Sequence, residues 1–177
     1  MVIRSEQPGD FAAIRAVHAS EFPSDAEGRL VDSLRATGRL SVSLVAVDGT
    51  RVVGHIAFSP VSVGGATSGL GLAPLAVSPL HQGKGIGSQL VREGLSAAAR
   101  TGAGFVVVLG HPAYYPRFGF VRAGAVGLGN EYGADEAFMV IELRPGALPA
   151  AGGLIKYGSE FAAWSRAEPE SAPGSGG

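Results

Sequence analysis

The sequence contains no cysteine among its 177 residues. Disulfide bonds, thiolate metal sites and a cysteine nucleophile are therefore excluded, and so is any route through an acyl-cysteine intermediate. Charged residues are also sparse, at 16% of the chain, and the formal net charge is −1. Lysine and arginine are scattered along the chain, which argues against nucleic-acid binding. We expect a small molecule or a peptide as the partner.

Long apolar runs and a secretory start are missing as well. The opening residues, MVIRSE, have neither the basic start nor the apolar stretch of a signal peptide. No run reaches the ~20 apolar residues of a membrane span. We therefore expect a cytoplasmic protein that does not cross a membrane.

The length suits one domain that buries its own core, and we expect that domain to cover residues 1–165. Residues 166–177 carry too little apolar surface to offset the entropy lost on ordering them, so we expect a disordered tail.

Glycine is abundant, at 28 residues, and the apolar pattern between the turns predicts an α/β (α+β) fold. Helical spacing predicts helices after Asp10, at residues 25–37 and 86–99, and a short one at 112–117. Apolar runs predict strands at residues 2–4, 40–47, 51–63, 72–77, 105–109, 137–143 and 153–161. Residues 64–71 are expected to form a polar, flexible connection.

Local features predict how these strands pair. Asp48 and Gly49 form a strong hairpin signal between the second and third strands. The strand–helix–strand order over residues 72–109 predicts two parallel strands with a right-handed crossover. Pro74 cannot donate a hydrogen bond, so we expect an irregularity in pairing near it.

Three glycines stand at alternate positions where the third long helix begins: Gly83, Gly85 and Gly87. Glycine is a poor helix former, so its repetition here needs another explanation. The free N–H groups of a helix N-terminus bind anions, and the missing Cβ atoms let a diphosphate lie on the backbone. We interpret the segment as a phosphate-binding loop. The alternative is a glycine-rich turn that only allows close packing.

Two familiar phosphate-loop patterns do not match this segment. A P-loop requires Ser or Thr after its Gly-Lys pair, but Lys84 is followed by Gly85. The dinucleotide pattern G-x-G-x-x-G ends on Ser88 or Leu90, depending on the glycine from which it is counted. A nucleotide-binding domain of another fold is therefore disfavoured.

The strand end and loop resemble motif A of the GNAT superfamily, whose pattern is [QR]-x-x-G-x-[GA] after a strand. Gln82, Gly85 and Gly87 occupy its fixed positions. Downstream, the segment YYPRFGF at residues 114–120 resembles the F-Y-x-x-x-G-F segment of that superfamily. The resemblance covers roughly residues 1–144, with an extra C-terminal strand beyond them. Within the superfamily the chain is similar to an uncharacterised bacterial branch with Q-G-x-G-I-G and Y-Y-x-R-F-G-F motifs.

The resemblance implies an acyl-CoA N-acyltransferase fold: a central mixed, mostly antiparallel sheet flanked by helices and splayed between its fourth and fifth strands, with CoA in the opening. It implies an N-acetyltransferase that uses acetyl-CoA and no metal, with direct attack by an amine. The acceptor, a small-molecule or peptide amine, is not identified by the sequence. A homodimer is possible because the segment near residues 153–161 could pair a sheet edge.

By the same resemblance, main chain would bind the CoA. The strand residues Leu75, Ala76 and Val77 would pair with the pantetheine amides, and an N–H there would polarise the thioester carbonyl. The pyrophosphate would lie on the N–H groups of Gln82, Gly83, Lys84, Gly85, Ile86, Gly87 and Ser88. The side chain of Lys84 either adds a charge contact or is an ordinary solvated lysine.

Catalytic side chains are less well indicated. Tyr115 matches the position from which GNAT enzymes often protonate the leaving thiolate, and a phenol is protonated at neutral pH. For the general base, the predicted strand at residues 72–77 carries no carboxylate. Glu27 is one candidate. We favour the alternative interpretation of Glu27, as an exposed carboxylate that the helix dipole stabilises. Glu21 and His111 are the others. A non-catalytic CoA-binding regulatory module is therefore the alternative to an enzyme.

Overall fold

The computed structural model describes residues 1–162, without the side chain of Thr67. The tail predicted at residues 166–177 lies outside this range. The strands are β1 (Val2–Ser5), β2 (Val42–Asp48), β3 (Arg51–Val63), β4 (Ala66–Val77), β5 (Phe105–Leu109), β6 (Val121–Arg122), β7 (Leu128–Asn130), β8 (Phe138–Glu142) and β9 (Gly153–Lys156). The α-helices are α1 (Phe11–Glu21), α2 (Ala26–Ala36) and α3 (Ile86–Arg100).

The described strands form one sheet in the order β1-β2-β3-β4-β5-β8-β6, and β9 pairs with both β3 and β7. The β4–β5 and β7–β9 pairs are parallel, and the other pairs are antiparallel. The predicted mixed, mostly antiparallel sheet is therefore confirmed. The hairpin at Asp48 and the parallel β4–α3–β5 unit are confirmed as well.

Helices cover both faces of the sheet because each presents an apolar stripe to it. On one face, Leu90, Val91 and Ala98 of α3 pack in the larger core cluster. On the other face, Leu30 and Leu34 of α2 pack with residues from β3, β4 and β9. Full burial of each such leucine contributes about 2 kcal/mol. The two faces of the sheet therefore border two separate core clusters, one packed against α3 and the other against α2.

The predicted flexible connection at residues 64–71 is wrong. Only Gly64 and Gly65 form the turn, with φ of 59° and 80°, and β4 begins at Ala66. Gly69 and Gly71 lie within the strand because aromatic rings occupy the space that their side chains would need. A Cβ at Gly69 would overlap the Phe105 ring, and one at Gly71 would lie 2.6 Å from Cε1 of Tyr157.

The irregularity predicted near Pro74 is present. Leu72 pairs with Phe58 and Leu75 with Ile56, so two residues of β4 stand opposite one residue of β3. The Ala73–Pro74 peptide bond is cis.

Three smaller predictions need correction. The strand predicted at residues 153–161 ends at Lys156 and is followed by a 3₁₀ turn, Ser159–Ala162. The helix predicted at residues 112–117 is a 3₁₀ turn at Tyr115–Phe118. The two short strands β6 and β7 were not predicted.

Candidate active site

The sheet opens between β4 and β5. Their pairing runs from Gly69 opposite Phe105 to Leu72 opposite Val108. Beyond it, Leu75, Ala76 and Val77 remain paired with β3, whereas no β5 partner is found for them within residues 1–162. Their other edge therefore faces the opening, with main-chain groups available to a ligand.

The glycine loop leads from this edge into α3. Gly85 is the N-cap residue and has φ of 80°, and Gly83 has φ of 74°. A residue with a side chain would be strained at both positions. A Cβ on either glycine would meet no atom of the described chain within 4 Å, so the space above the loop is open. The first N–H groups of a helix have no intrahelical partner, which makes this end an anion site.

The side chain of Gln82 ties the glycine loop to the end of β4 and to the end of α1. Its Nε2 donates to the carbonyl of Val77 at 3.0 Å and also to the carboxylate of Glu21. The predicted CoA-binding residue Gln82 therefore uses its amide group within the protein. Glu21, a candidate base, lies at the end of α1 beside the loop.

The two adjacent tyrosines differ in their hydroxyl partners. The hydroxyl of Tyr114 lies 3.2 Å from Ser88 Oγ, and both side chains are buried. Tyr115 is only 1% exposed, and its hydroxyl has no hydrogen-bond partner among residues 1–162. Burial, aided by the neighbouring Tyr114, raises the pKa of Tyr115, which keeps the phenol protonated at neutral pH.

The Tyr115 ring packs against Gly110, directly after β5. A Cβ at Gly110 would overlap the ring, so the close approach depends on glycine. The ring also meets the edges of its aromatic neighbours, with centroids 5.1 Å away for Tyr114 and 5.6 Å away for Phe120. These contacts hold Tyr115 at the β5 side of the opening.

The structure separates the remaining candidates by burial. Glu27 is only 5% exposed and faces the sheet with Leu30 and Val31, so the favoured interpretation of an exposed carboxylate is wrong. Lys84 and His111 are exposed. Glu27 is thus the buried carboxylate on the α1–α2 face.

Sequence reasoning missed a group on that same face. His18 Nε2 and His55 Nδ1 lie 2.8 Å apart, and His55 Nε2 lies 2.8 Å from Ser43 Oγ. Both histidines are fully buried. The two histidines are 37 positions apart in the sequence, so no local pattern indicated that they would meet.

None of the helices within residues 1–162 has the length and apolar character needed to cross a membrane. In the same range, no group of three or more His, Cys, Asp or Glu side chains could hold a metal ion.

Comparisons with known proteins identify the class. A family model described as "Acetyltransferase (GNAT) domain" matches residues 39–122. The N-acetyltransferase YhbS of Escherichia coli K12, itself described as uncharacterized, is 43% identical over 164 residues, which cover 91% of this chain and 98% of YhbS. The chain therefore belongs to the GNAT acetyltransferase family. The predictions of the family, its fold and its acetyl-transfer class of function are confirmed.

Two solved structures are similar over nearly the whole chain. The E. coli YhbS structure in complex with CoA has a TM-score of 0.88 and covers 91% of each chain. A GNAT family acetyltransferase from Brucella melitensis in complex with acetyl-CoA has a TM-score of 0.78 and 40% identity, covering 90% of this chain and 97% of the other. The similarity thus extends beyond residues 1–144, to which the motifs had assigned it.

Proposed function

We propose that this chain binds acetyl-CoA in the β4–β5 opening and transfers its acetyl group to a primary amine by direct attack. The edge of Leu75, Ala76 and Val77 that has no β5 partner and the N-terminus of α3 follow each other along the chain, and the glycine loop connects them. Gln82 joins the two through the Val77 carbonyl. The CoA and acetyl-CoA complexes of the two similar structures support the proposal.

Each part of the cosubstrate has a matching surface. The diphosphate would lie on the main-chain N–H groups from Gln82 to Ser88, where the positive φ of Gly83 and Gly85 favours glycine and leaves the backbone uncovered at these two positions. The pantetheine amides would continue the sheet along the free β4 edge. An N–H of that edge would polarise the thioester carbonyl. Lys84 is exposed at the loop and can add a charge contact.

The reaction must move two protons. An ammonium ion cannot attack, so one proton must leave the amine before the N–C bond forms. The second leaves the nitrogen as the amide forms, and the C–S bond breaks to give a thiolate that must be protonated. We assign the donation to Tyr115, because its ring is held beside the opening and its phenol is protonated.

We assign the first proton transfer to Glu27. The strand residues at the opening carry no carboxylate, whereas Glu27 is buried on the face formed by α1 and α2. Glu21 is only partly buried and His111 is exposed, which makes both weaker candidates. A buried carboxylate would also hold the acceptor's ammonium group before transfer.

Three further expectations belong to this proposal. The acceptor is a small-molecule or peptide amine, the enzyme works in the cytoplasm, and it can form a homodimer. Cell fractionation and light scattering would test the last two.

The test is an acetylation assay with purified full-length protein. Acetyl-CoA would be incubated with benzylamine, spermidine, kanamycin or a peptide with a free N-terminus, and both the free CoA thiol and the acetylated amine would be measured. Equal amounts of the two products are expected for at least one amine. Tight acetyl-CoA binding without any acetylated product across a broad amine library would favour the non-catalytic module instead.

A further inference from the structure

Three polar side chains form a continuous hydrogen-bonded chain between α1 and the sheet. His18 meets His55 at 2.8 Å with the ring planes at 84°, and His55 meets Ser43 at 2.8 Å. The two histidines are 1% and 0% exposed, whereas Ser43 is only partly buried. The hydrogen-bonded path from His18 through His55 to Ser43 therefore runs from the interior towards the surface.

The buried end of this path, formed by His18 and His55, lies beside the β4 edge that we propose binds acetyl-CoA. His55 is the direct cross-strand partner of Ala76. His18 stacks on Phe22, with ring centroids 6.0 Å apart, and Phe22 packs in one cluster with Ala76. His18 is also one helical turn before Glu21, which contacts the loop residue Gln82.

The inner end has an unused polar atom. His18 Nδ1 is buried and has no hydrogen-bond partner among residues 1–162. Ser59 Oγ, on the same face of β3 as His55, is likewise buried without a partner. Unsatisfied buried polar groups are rare and often mark functional positions. A buried N–H without a partner is rarer than a buried acceptor, so we assign an unprotonated Nδ1 to His18.

We propose that His18, His55 and Ser43 form a proton path that takes the proton released by the attacking amine away from the reaction centre while the acetyl group is transferred. This inference rests on the proposed function, which requires the net loss of one proton in each turnover. Glu27 is buried and needs such an exit when it accepts the proton. In this scheme His18 and His55 receive the proton after the base has taken it from the amine, so they are positioning residues.

The transfers balance along the chain. A proton binds His18 Nδ1, the His18 Nε2 proton passes to His55 Nδ1, the His55 Nε2 proton passes to Ser43 Oγ, and the Ser43 hydroxyl proton leaves to solvent. Each nitrogen gains or loses one proton, and neither ring accumulates charge. After the products have left, the reverse shift takes one proton in from solvent at Ser43 and releases one from His18 Nδ1 to water in the open site, which restores the starting tautomers.

The surroundings favour neutral rings. Burial lowers the pKa of His18 to about 4, against a smaller opposing effect of Asp32. Burial, His18 and Arg35 together hold the pKa of His55 well below its usual value. Both rings are therefore neutral at neutral pH and can pass a proton without storing it.

The first test needs no acceptor. Full-length protein labelled with ¹⁵N-histidine would be studied by long-range ¹H–¹⁵N NMR at pH 7.5, with resonances assigned through single histidine variants. We expect His18 and His55 to be protonated at Nε2 and unprotonated at Nδ1. A protonated His18 Nδ1 would overturn the proposal, because that atom could then not accept a proton. This result is independent of whether acetyl-CoA binds.

The second test changes Ser43, at the solvent end of the proton path. Ser43→Ala removes the hydroxyl, Ser43→Thr keeps it, and Ser41→Ala removes an exposed hydroxyl two residues away. With acetyl-CoA and the best amine of the assay above, Ser43→Ala should lower kcat by about 10²-fold, the lower end of proton-transfer effects, and raise the solvent deuterium isotope effect. Ser43→Thr should restore both values. Equal kcat and isotope effects in Ser43→Ala and Ser41→Ala would refute the path.

Discussion

The buried hydroxyl groups of Ser88 and Tyr114 lie 3.2 Å apart and join the first turn of α3 to the segment that carries Tyr115. This contact gives Tyr114 a hydrogen-bond partner, while the adjacent Tyr115 has none among the described residues. The two tyrosines are thus chemically unequal. We infer that Tyr114 positions the segment and that Tyr115 serves the reaction.

Tyr115→Phe tests this division. The change keeps the ring that packs on Gly110 and removes only the hydroxyl, so acetyl-CoA affinity should stay the same. Turnover should fall roughly 10²–10⁴-fold, the usual contribution of a general acid. Tyr114→Phe should instead cost about 1 kcal/mol of stability through the lost Ser88 bond. Steady-state kinetics and urea unfolding of both variants separate these effects; unchanged turnover in Tyr115→Phe would reject it as the acid.

Gln82→Ala tests the brace under the loop. It removes the bonds to the Val77 carbonyl and to Glu21, so the loop should lose its fixed position relative to the β4 edge. Acetyl-CoA affinity should fall about tenfold, the equivalent of one hydrogen bond, in isothermal titration calorimetry. The matched control is Gln89→Ala, which alters an exposed glutamine on α3. Equal affinities of the two variants would show that the brace is dispensable.

Glu27→Gln tests the buried carboxylate. The amide keeps the side-chain shape but cannot accept the amine proton, so turnover should fall by about 10²-fold. Because Glu27 also lies at the start of α2, its charge could act only through the helix dipole. Asp25→Asn removes an exposed charge at the same helix end and should leave turnover unchanged. A similar small change in both variants would assign Glu27 to the dipole alone.

The buried histidine pair predicts an acid-sensitive fold. The folded-state pKa of His18 is about 4, below the value of 6.5 that applies to the unfolded chain, so the unfolded state binds the extra proton. Stability is therefore fully present above pH 6.5 and is lost as the pH falls towards 4. At pH 5.5 His18 alone should cost about 1 kcal/mol of stability, and His55, whose pKa is also lowered by burial, should add to the loss.

Urea unfolding at pH 7.5 and pH 5.5 measures this loss. The wild-type protein should lose the stated free energy, and a variant carrying both His18→Gln and His55→Gln should lose little. An equal loss in that variant would assign the pH dependence to other groups.

The role of a glycine could be predicted from the sequence where the backbone conformation at that position requires glycine. Gly83 and Gly85 could be interpreted from sequence because both positions require positive φ at a helix start. Gly69 and Gly71 could not, since the reason for glycine there is a pair of rings, Phe105 and Tyr157, distant along the chain. A glycine that makes room for a tertiary neighbour looks the same in sequence as one that makes a turn.

The same limit applies to the site. Main-chain binding elements follow from strand order and from the loop, so the sequence could indicate them. Helical spacing placed Glu27 on the inward face of its helix, but its position at the helix start favoured an exposed carboxylate, and only the packing of α2 on the sheet decides that it is buried. His18 and His55 meet only because α1 packs on β3, and no motif contains either residue.

Binding of acetyl-CoA at the loop before α3 can be measured through the thermal unfolding midpoint (Tm) of Gly85→Val with and without acetyl-CoA. The matched control is Gly38→Val. Gly38 has φ of 73°, close to the 80° of Gly85, and open space around it, but it lies after α2 and away from the loop. At 100 times the Kd, acetyl-CoA should stabilise wild type and Gly38→Val by about 2.7 kcal/mol, raising Tm roughly 5–10 °C. A folded Gly85→Val should show no shift. An equal shift in all three proteins, or none in the wild type, would show that acetyl-CoA does not bind at this loop.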